Sequence, residues 1–336
     1  MLVPFVIDPE CLDSEPGWPP SQALGYHESM LDIWEKIGLL LHSEEKFDGS
    51  SLHRAIEALP QKYRLRWQIA LKNFPMHESR SHWTGSIDRK NLGEVAVSAE
   101  VAFVDNTRAE AEFDFSVDEL SKSSCLSTAA EVCRFTAAPH SEVIKTAQNR
   151  ALSPILIKEP YEEIWKERFY RLAVAPLKRI FIVDRFALSE HFEHHQSMLT
   201  GVSGLKRFLR LLDRDSDGAR YVTLYSAKVD SLVKRDSGEI QKELRETMAN
   251  LPKKNIKLLK LNLLPNSAFA KPAHDRYIRF EKYVWDLGHG LKVFEGPYAQ
   301  VHSKASFKTG KFIDEYRDGE SSLDDHPKCE HFEFQS

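Results

Sequence analysis

The sequence predicts an α/β fold in two domains. From Lys178 onward, short apolar runs alternate with amphipathic segments of about 10–15 residues, the pattern of helices laid against a largely parallel sheet. The chain has 336 residues, more than one hydrophobic core usually serves. A helix-patterned stretch, EPYEEIWKERFYRLAVAP, stands at the join and is ended by Pro176. The expected division is an N-terminal domain over 1–157, α/β or α+β, a C-terminal α/β/α domain over 158–315, and a polar acidic tail over 316–336.

The first elements are read from local pattern. MLVPFVIDPECL is a short strand stopped by Pro9 and the DSEPGWPPS segment. In HESMLDIWEKIGLLLH, apolar residues Met30, Leu31, Ile33, Trp34, Ile37, Leu40 and Leu41 recur at helical spacing. LHRAIEALPQKYRLRWQIALKNF reads as a helix entered after the cap candidates Ser50 and Ser51 and broken or kinked at Pro60. VAVSAEVAFVDNTRAEAEF alternates as a strand interrupted at Asp105 and Asn106, and EVCRF and SPILI are further strands.

The later elements are more regular. In the 159–176 helix, Ile164, Trp165, Phe169 and Leu172 form an apolar face, and the acidic first turn suits the helix dipole. KRIFIVDRF is a buried strand, SGLKRFLRLLDRD a helix, ARYVTLYSA a strand, SGEIQKELRETMANL a helix that Ser237 can cap, and NIKLLKLNLL a strand. The run HDRYIRFEKYVWDLGHG supplies two more strands. The last residues, YRDGESSLDDHPKCEHFEFQS, read as a poorly ordered tail, although FEF could dock.

Bulk properties narrow the function. The formal net charge of −4 gives no global basic signature for nucleic acid, although a local patch remains open. No apolar run approaches a membrane span and no signal peptide is evident, so a cytoplasmic protein without a membrane partner is expected. Cys11, Cys125, Cys133 and Cys329 show no CxxC and read as reduced thiols.

The chemistry concentrates in His274–Gly290. His274 and Arg276 share one strand face by the period of two. Glu281 follows after four residues, and Gly288 and Gly290 close the run. Metal-free phosphodiester cleavage needs an imidazole to attack phosphorus, a cation on the same face to hold the phosphate oxygens, a carboxylate to tune the imidazole, and glycine backbone that admits the phosphate. The spacing H-x-R-x4-E-x6-G-H-G resembles the H-x-K-x4-D-x6-G-S motif of the phospholipase D superfamily, and the region from about 178 to 300 resembles one half of that fold. It also resembles the phospholipase D-like domains of bacterial defence-island proteins and of microtubule-interacting-and-transport proteins. Arginine replaces the flexible lysine with a planar fork, and His289 stands where the motif has serine.

The resemblance implies a phosphodiesterase or nuclease of phospholipase D type that uses no cofactor. His274, Arg276 and Glu281 would be catalytic; Gly288, Gly290, Arg185 and Lys304 would bind phosphate. Only one motif is evident, so the second histidine would come from a homodimer. His302 and Lys304 repeat H-x-K, but Thr309 stands where an acid is needed. Nucleic acid is the expected partner, with antiphage defence and a defence-system partner protein suggested by the family. The competing expectation is an inactive module of the same fold that binds a phosphate-bearing ligand or a partner protein as sensor or adaptor.

Other constellations carry less. Asp184-Arg185 ends a buried strand, where ligands of parallel sheets bind. His191, His194 and His195 read as part of a polar loop and not as a metal site. Asp213–Gly218 begins like a calcium loop, but Leu224 occupies the position of the closing glutamate. No metal is expected; the alternative is an N-terminal site of Asp8, Glu10 and Asp105 at strand ends, in the manner of a PIN-like domain. A recognition or dimerisation role is the other expectation for that domain.

Overall fold

The structure, a computed structural model, describes residues 2–12, 20–43, 46–79, 81–83, 86–115, 123–124, 130–196, 202–228, 237–270 and 276–336. The chain divides into two compact units, 2–150 and 151–336. The expected boundary at 157/158 therefore lies seven residues earlier. Ile155, expected in a strand of the first domain, instead makes an isolated antiparallel bridge to Ser303 of the second.

The first unit runs β1 (Val3–Ile7), α1 (Pro20–Ile37), β2 (Gly38–His42), α2 (Ser51–Ala58), α3 (Gln61–Asn73), β3 (Met76–Glu78), α4 (Leu92–Val95), β4 (Val101–Val104), α5 (Asn106–Phe113), β5 (Ser123–Ser124), β6 (Glu131–Arg134) and α6 (Glu142–Arg150). Its sheet has the order β3-β2-β1-β4-β6-β5, parallel except for β5. This is an α/β layer fold whose strand order reverses between β1 and β4. Phe5, Trp34, Trp67 and Phe103 fill its core.

Two local readings change in this unit. The helix expected through Leu41 stops at Ile37, and GLLLH is the buried strand β2. Gly38 permits that sharp junction, because a Cβ there would lie 2.6 Å from the Phe5 ring and 2.7 Å from the Trp34 backbone. The segment after Asp105 is the helix α5, which Asp105 caps by accepting from the Arg108 N–H. Pro60 does divide α2 from α3, and Ser50 caps α2.

The second unit opens with a continuous helical stretch, α7 (161–174), whose middle, Trp165–Phe169, winds as a π-helix. It continues with β7 (Arg179–Asp184), α8 (Ala187–Gln196), α9 (Gly204–Asp215), β8 (Arg220–Lys228), α10 (Ser237–Ala249), β9 (Ile256–Pro265), β10 (Arg276–Phe280), β11 (Tyr283–Leu287), β12 (Ala305–Lys308), α11 (Ile313–Asp324) and β13 (Glu330–Gln335). The seven strands lie in the order β12-β11-β10-β7-β8-β9-β13. β7, β8 and β9 are parallel, and each outer pairing is antiparallel. The expected acidic tail is ordered: α11 packs Ile313, Tyr316 and Leu323 on the sheet, and β13 pairs with β9 along its whole length. Its phenylalanines decide this, since Phe334 is buried in an otherwise polar stretch.

Aromatic packing sets one face of this sheet. Trp165, Phe169, Phe208, Phe294 and Trp285 form a contiguous cluster of edge-on and tilted rings. On the other face, Val183, Tyr225, Tyr277 and Val284 meet α11. No helix among the described residues is long and apolar enough to cross a membrane.

Candidate functional site

The hairpin β10–β11 decides which motif residues meet. Phe280 pairs with Tyr283, so Glu281 and Lys282 form a two-residue turn, with Glu281 in the left-handed region at φ +50°. The chain then runs back, and Gly288 arrives beside Arg276, whose Nη1 donates to the Gly288 carbonyl at 2.9 Å. Glu281 sits at the opposite end of β10, about 16 Å from Arg276 at the rise of a strand. Its carboxylate accepts from the Lys178 N–H at 2.8 Å. Glu281 thus stands at the turn of the hairpin, at the end of β10 away from Arg276. His274 lies outside the described residues.

Arg276, Gly288 and Gly290 gather at the carboxyl edge of β7. Arg276 pairs with Asp184 in the β7–β10 register. The buried Asp184 accepts from the Leu291 N–H at 2.7 Å and the Phe186 N–H at 3.1 Å. Gly290, at φ +54°, has no room for a side chain: a Cβ would stand 2.1 Å from Asp184 Oδ2. Arg185 donates from Nε to Asn266 Oδ1 at 2.6 Å, and the guanidinium groups of Arg185 and Arg276 lie 5.2 and 4.8 Å from the Phe186 ring. Lys304 is exposed next to Gly288, whose N–H donates to the Lys304 carbonyl at 2.9 Å. Arg185 and Lys304 thus stand on the same edge of the sheet as Arg276.

The structure adds groups that sequence reasoning missed. His289 is held by its N–H to Ser303 Oγ at 3.1 Å, and its Nδ1 is buried with no hydrogen-bond partner among the described residues. Loss of hydration and the positive charges of Arg276 and Lys292 lower its pKa, so the ring is neutral at pH 7. His302 is close enough to add to that effect. Glu190, on α8, has its pKa raised to about 7, first by burial and then by Asp184. Lys292 Nζ stands 3.7 Å from its Oε1, and Arg276 and Lys292 partly offset the rise. The site therefore holds a neutral imidazole, a carboxylic acid that titrates near neutrality and a set of cations. The one sequence signal for Glu190 is its place on the helix that follows the strand end at Asp184.

The expected polar loop around His191 is this same helix. His191 is buried, with Nδ1 2.6 Å from Ser203 Oγ and Nε2 3.5 Å from Glu243. The calcium-like segment is structural: Asp213 accepts from the N–H groups of Lys253, Lys254 and Ile256.

In the first unit, Asp8, Glu10 and Asp105 do come together, at the strand-order reversal between β1 and β4. Arg108 stands among them, with Nε 3.2 Å from Asp8 Oδ2 and Nη2 2.5 Å from Glu10 Oε1. Asp8 also accepts from the N–H groups of Glu10 and Ile87. Among the described residues no group of three or more ligating side chains is arranged to hold a metal ion. Arg108 is the cation that Asp8 and Glu10 meet among the described residues. Burial lifts the Asp8 pKa to about 6, against the opposing pull of its backbone donors and Arg108. That carboxyl is protonated in both states below about pH 4, and its contribution to stability falls as pH rises through 6. Arg108→Met is expected to widen the loss, costing about 2 kcal/mol at pH 8 and distinctly less at pH 5, measured by urea unfolding at both values.

No protein-family model matches the sequence, and no curated protein matches it.

Proposed function

We propose that the second unit is a metal-independent phosphodiesterase of phospholipase D type acting on nucleic acid. One observation carries this reading: Arg276, a neutral His289 and a proton-bearing Glu190 meet around the Asp184–Gly290 cradle at the carboxyl edge of β7. Metal-free displacement at phosphorus calls for a cation on the phosphate oxygens, an unprotonated imidazole and an acid for the leaving oxygen.

In the proposed reaction an imidazole nitrogen attacks phosphorus. The bond to the leaving oxygen breaks with its electron pair, and that oxygen takes the proton of Glu190. Water then attacks the phosphorus, giving its proton to the Glu190 carboxylate, and the P–N bond returns its pair to the ring. Two imidazoles compete for the attack: His289 in the described geometry and His274 in the motif. The nucleophile is the one whose alanine variant no longer forms an acid-labile phosphoenzyme. Glu190 supplies from within one chain the proton that the single-motif reading assigns to a second subunit. The rate per chain is therefore expected to be independent of protein concentration.

The pH dependence tests the assignment. Glu190 acts as an acid below about pH 7, and His289 is an unprotonated imidazole, able to attack, above its lowered pKa. Cleavage should peak between these limits and fall above pH 7. Glu190→Gln should lower kcat about 100-fold and abolish the alkaline fall. An unchanged alkaline limb in that variant would remove Glu190 from the reaction.

A second reading, an inactive phosphate-binding module, draws on one feature: Arg276 already spends Nη1 on the Gly288 carbonyl. It predicts oligonucleotide binding that needs Arg276, without turnover at any pH.

A further inference from the structure

On the sheet face that carries α11, the amino-terminal ends of the central strands β7 and β8 lie at the end of the sheet remote from Arg276. A groove of about 420 Å³ there is lined by Lys178, Arg179, Phe181, Tyr221 and Thr223. It continues, through the shared Arg179 and Phe181, into a cavity of about 650 Å³ beside α11. Arg179 pairs with Tyr221, and Phe181 with Thr223, across the parallel strands β7 and β8. Neighbouring strands are about 4.8 Å apart, so the cation and the ring of the first pair stand side by side.

The charges in this groove are not equivalent. Its acids are occupied: Glu320 ion-pairs with Arg279, Asp324 accepts from Tyr225 and Asn262, and Glu281 accepts from the Lys178 N–H. Arg279 in turn covers one face of the Phe181 ring at 3.9 Å. By contrast, no hydrogen bond or ion pair holds the Lys178 or Arg179 side chain among the described residues. Tyr221 is 45% exposed, and no ring or cation covers it among the described residues. What remains for a ligand is an aromatic face flanked by two unspent cations.

We infer that this groove is a binding platform for single-stranded nucleic acid, one base stacking on Tyr221 and its phosphates meeting Lys178 and Arg179. A flat ring offers any base a stacking partner, and cations beside it follow the backbone. A duplex keeps its base faces buried in its own stack and cannot use the ring. The inference rests on the proposed function and names its substrate class: a single strand, held at the end of the sheet opposite the cutting site.

The test is fluorescence anisotropy with a labelled phosphorothioate oligo-dT, a blunt duplex of equal length, and dTMP as competitor. Wild type should bind the single strand more tightly than the duplex. Tyr221→Ala should weaken that binding roughly tenfold, and Tyr221→Trp should retain it. Arg179→Ala should weaken it and reduce the salt dependence by about one charge. Both sites are exposed, and unchanged melting curves would exclude misfolding. Equal binding by Tyr221→Ala and wild type, duplex binding as tight as single-strand binding, or dTMP binding as tight as oligo-dT would each overturn the platform. Arg276→Ala separates the two readings. Binding retained with cleavage lost supports the platform. Binding lost in Arg276→Ala but kept in Tyr221→Ala overturns the platform and leaves the cutting site standing. No binding and no cleavage by wild type would overturn both.

Discussion

Arg276→Ala is expected to lower phosphodiester cleavage by at least 100-fold, the usual effect of removing a fixed donor from developing charge. The fold should barely register the change. Among the described residues Arg276 makes one hydrogen bond, to the Gly288 carbonyl, and rests on the Phe186 ring. Those contacts together are worth about 1 kcal/mol, a melting shift of roughly 2–4 °C for a unit of this size. The disparity between a large kinetic and a small thermodynamic effect is the signature of a residue kept for chemistry. Arg276→Lys should recover part of the rate, because it restores the charge without the planar fork. A variant with full activity would place phosphate binding elsewhere.

Gly290→Ala should produce the opposite pattern, a large loss of stability at a residue with no reactive group. Its φ of +54° costs a non-glycine residue about 1–2 kcal/mol. The added methyl would also meet the Asp184 carboxylate at 2.1 Å. Asp184 cannot turn aside freely, since it satisfies the buried N–H groups of Leu291 and Phe186. Leaving a buried donor unpaired costs about 1–3 kcal/mol. The total is about 2–5 kcal/mol, measurable by urea unfolding. The coupling is checkable as well. In the Asp184→Ala, Gly290→Ala double variant the obstruction is gone, so its cost should fall clearly short of the sum of the single changes. A cost below about 1 kcal/mol for Gly290→Ala would mean that the cradle is soft.

Much of the second unit was legible because its elements have unambiguous periods. SGLKRFLRLLDRD places Leu205, Phe208, Leu209 and Leu212 on one buried helical face, and in the strand between Ile256 and Pro265 the leucines Leu259, Leu261 and Leu263 alternate with Lys260 and Asn262. GLLLH was not, because a short leucine run is equally compatible with a helix end and a buried strand. Its state was decided by pairing with β1, a contact that local pattern does not contain. The acidic tail misled for a related reason: FEF stands out as a segment that could dock, but the surrounding charges outweigh it in the local pattern, and pairing with β9 decides its state.

The candidate site divides in the same way. Arg276, Gly288 and Gly290 were found together because they belong to one hairpin, whose spacing folds its two ends onto each other. Glu281 was drawn in by the same spacing, although its position at the turn carries it to the other end. Glu190 lies on a separate helix, and its proton affinity comes from burial and from Asp184, neither of which can be read locally. Arg108 likewise reveals itself only when α5 brings it against Asp8 and Glu10.

The most direct measurement is cleavage of end-labelled single-stranded DNA and RNA in excess EDTA, with wild type beside Arg276→Ala, His274→Ala and His289→Ala. The predicted result is metal-free cleavage by wild type, lost in Arg276→Ala and in one of the two histidine variants. Cleavage that appears only when magnesium is restored, and that survives all three substitutions, would contradict the account and move the chemistry to another part of the chain.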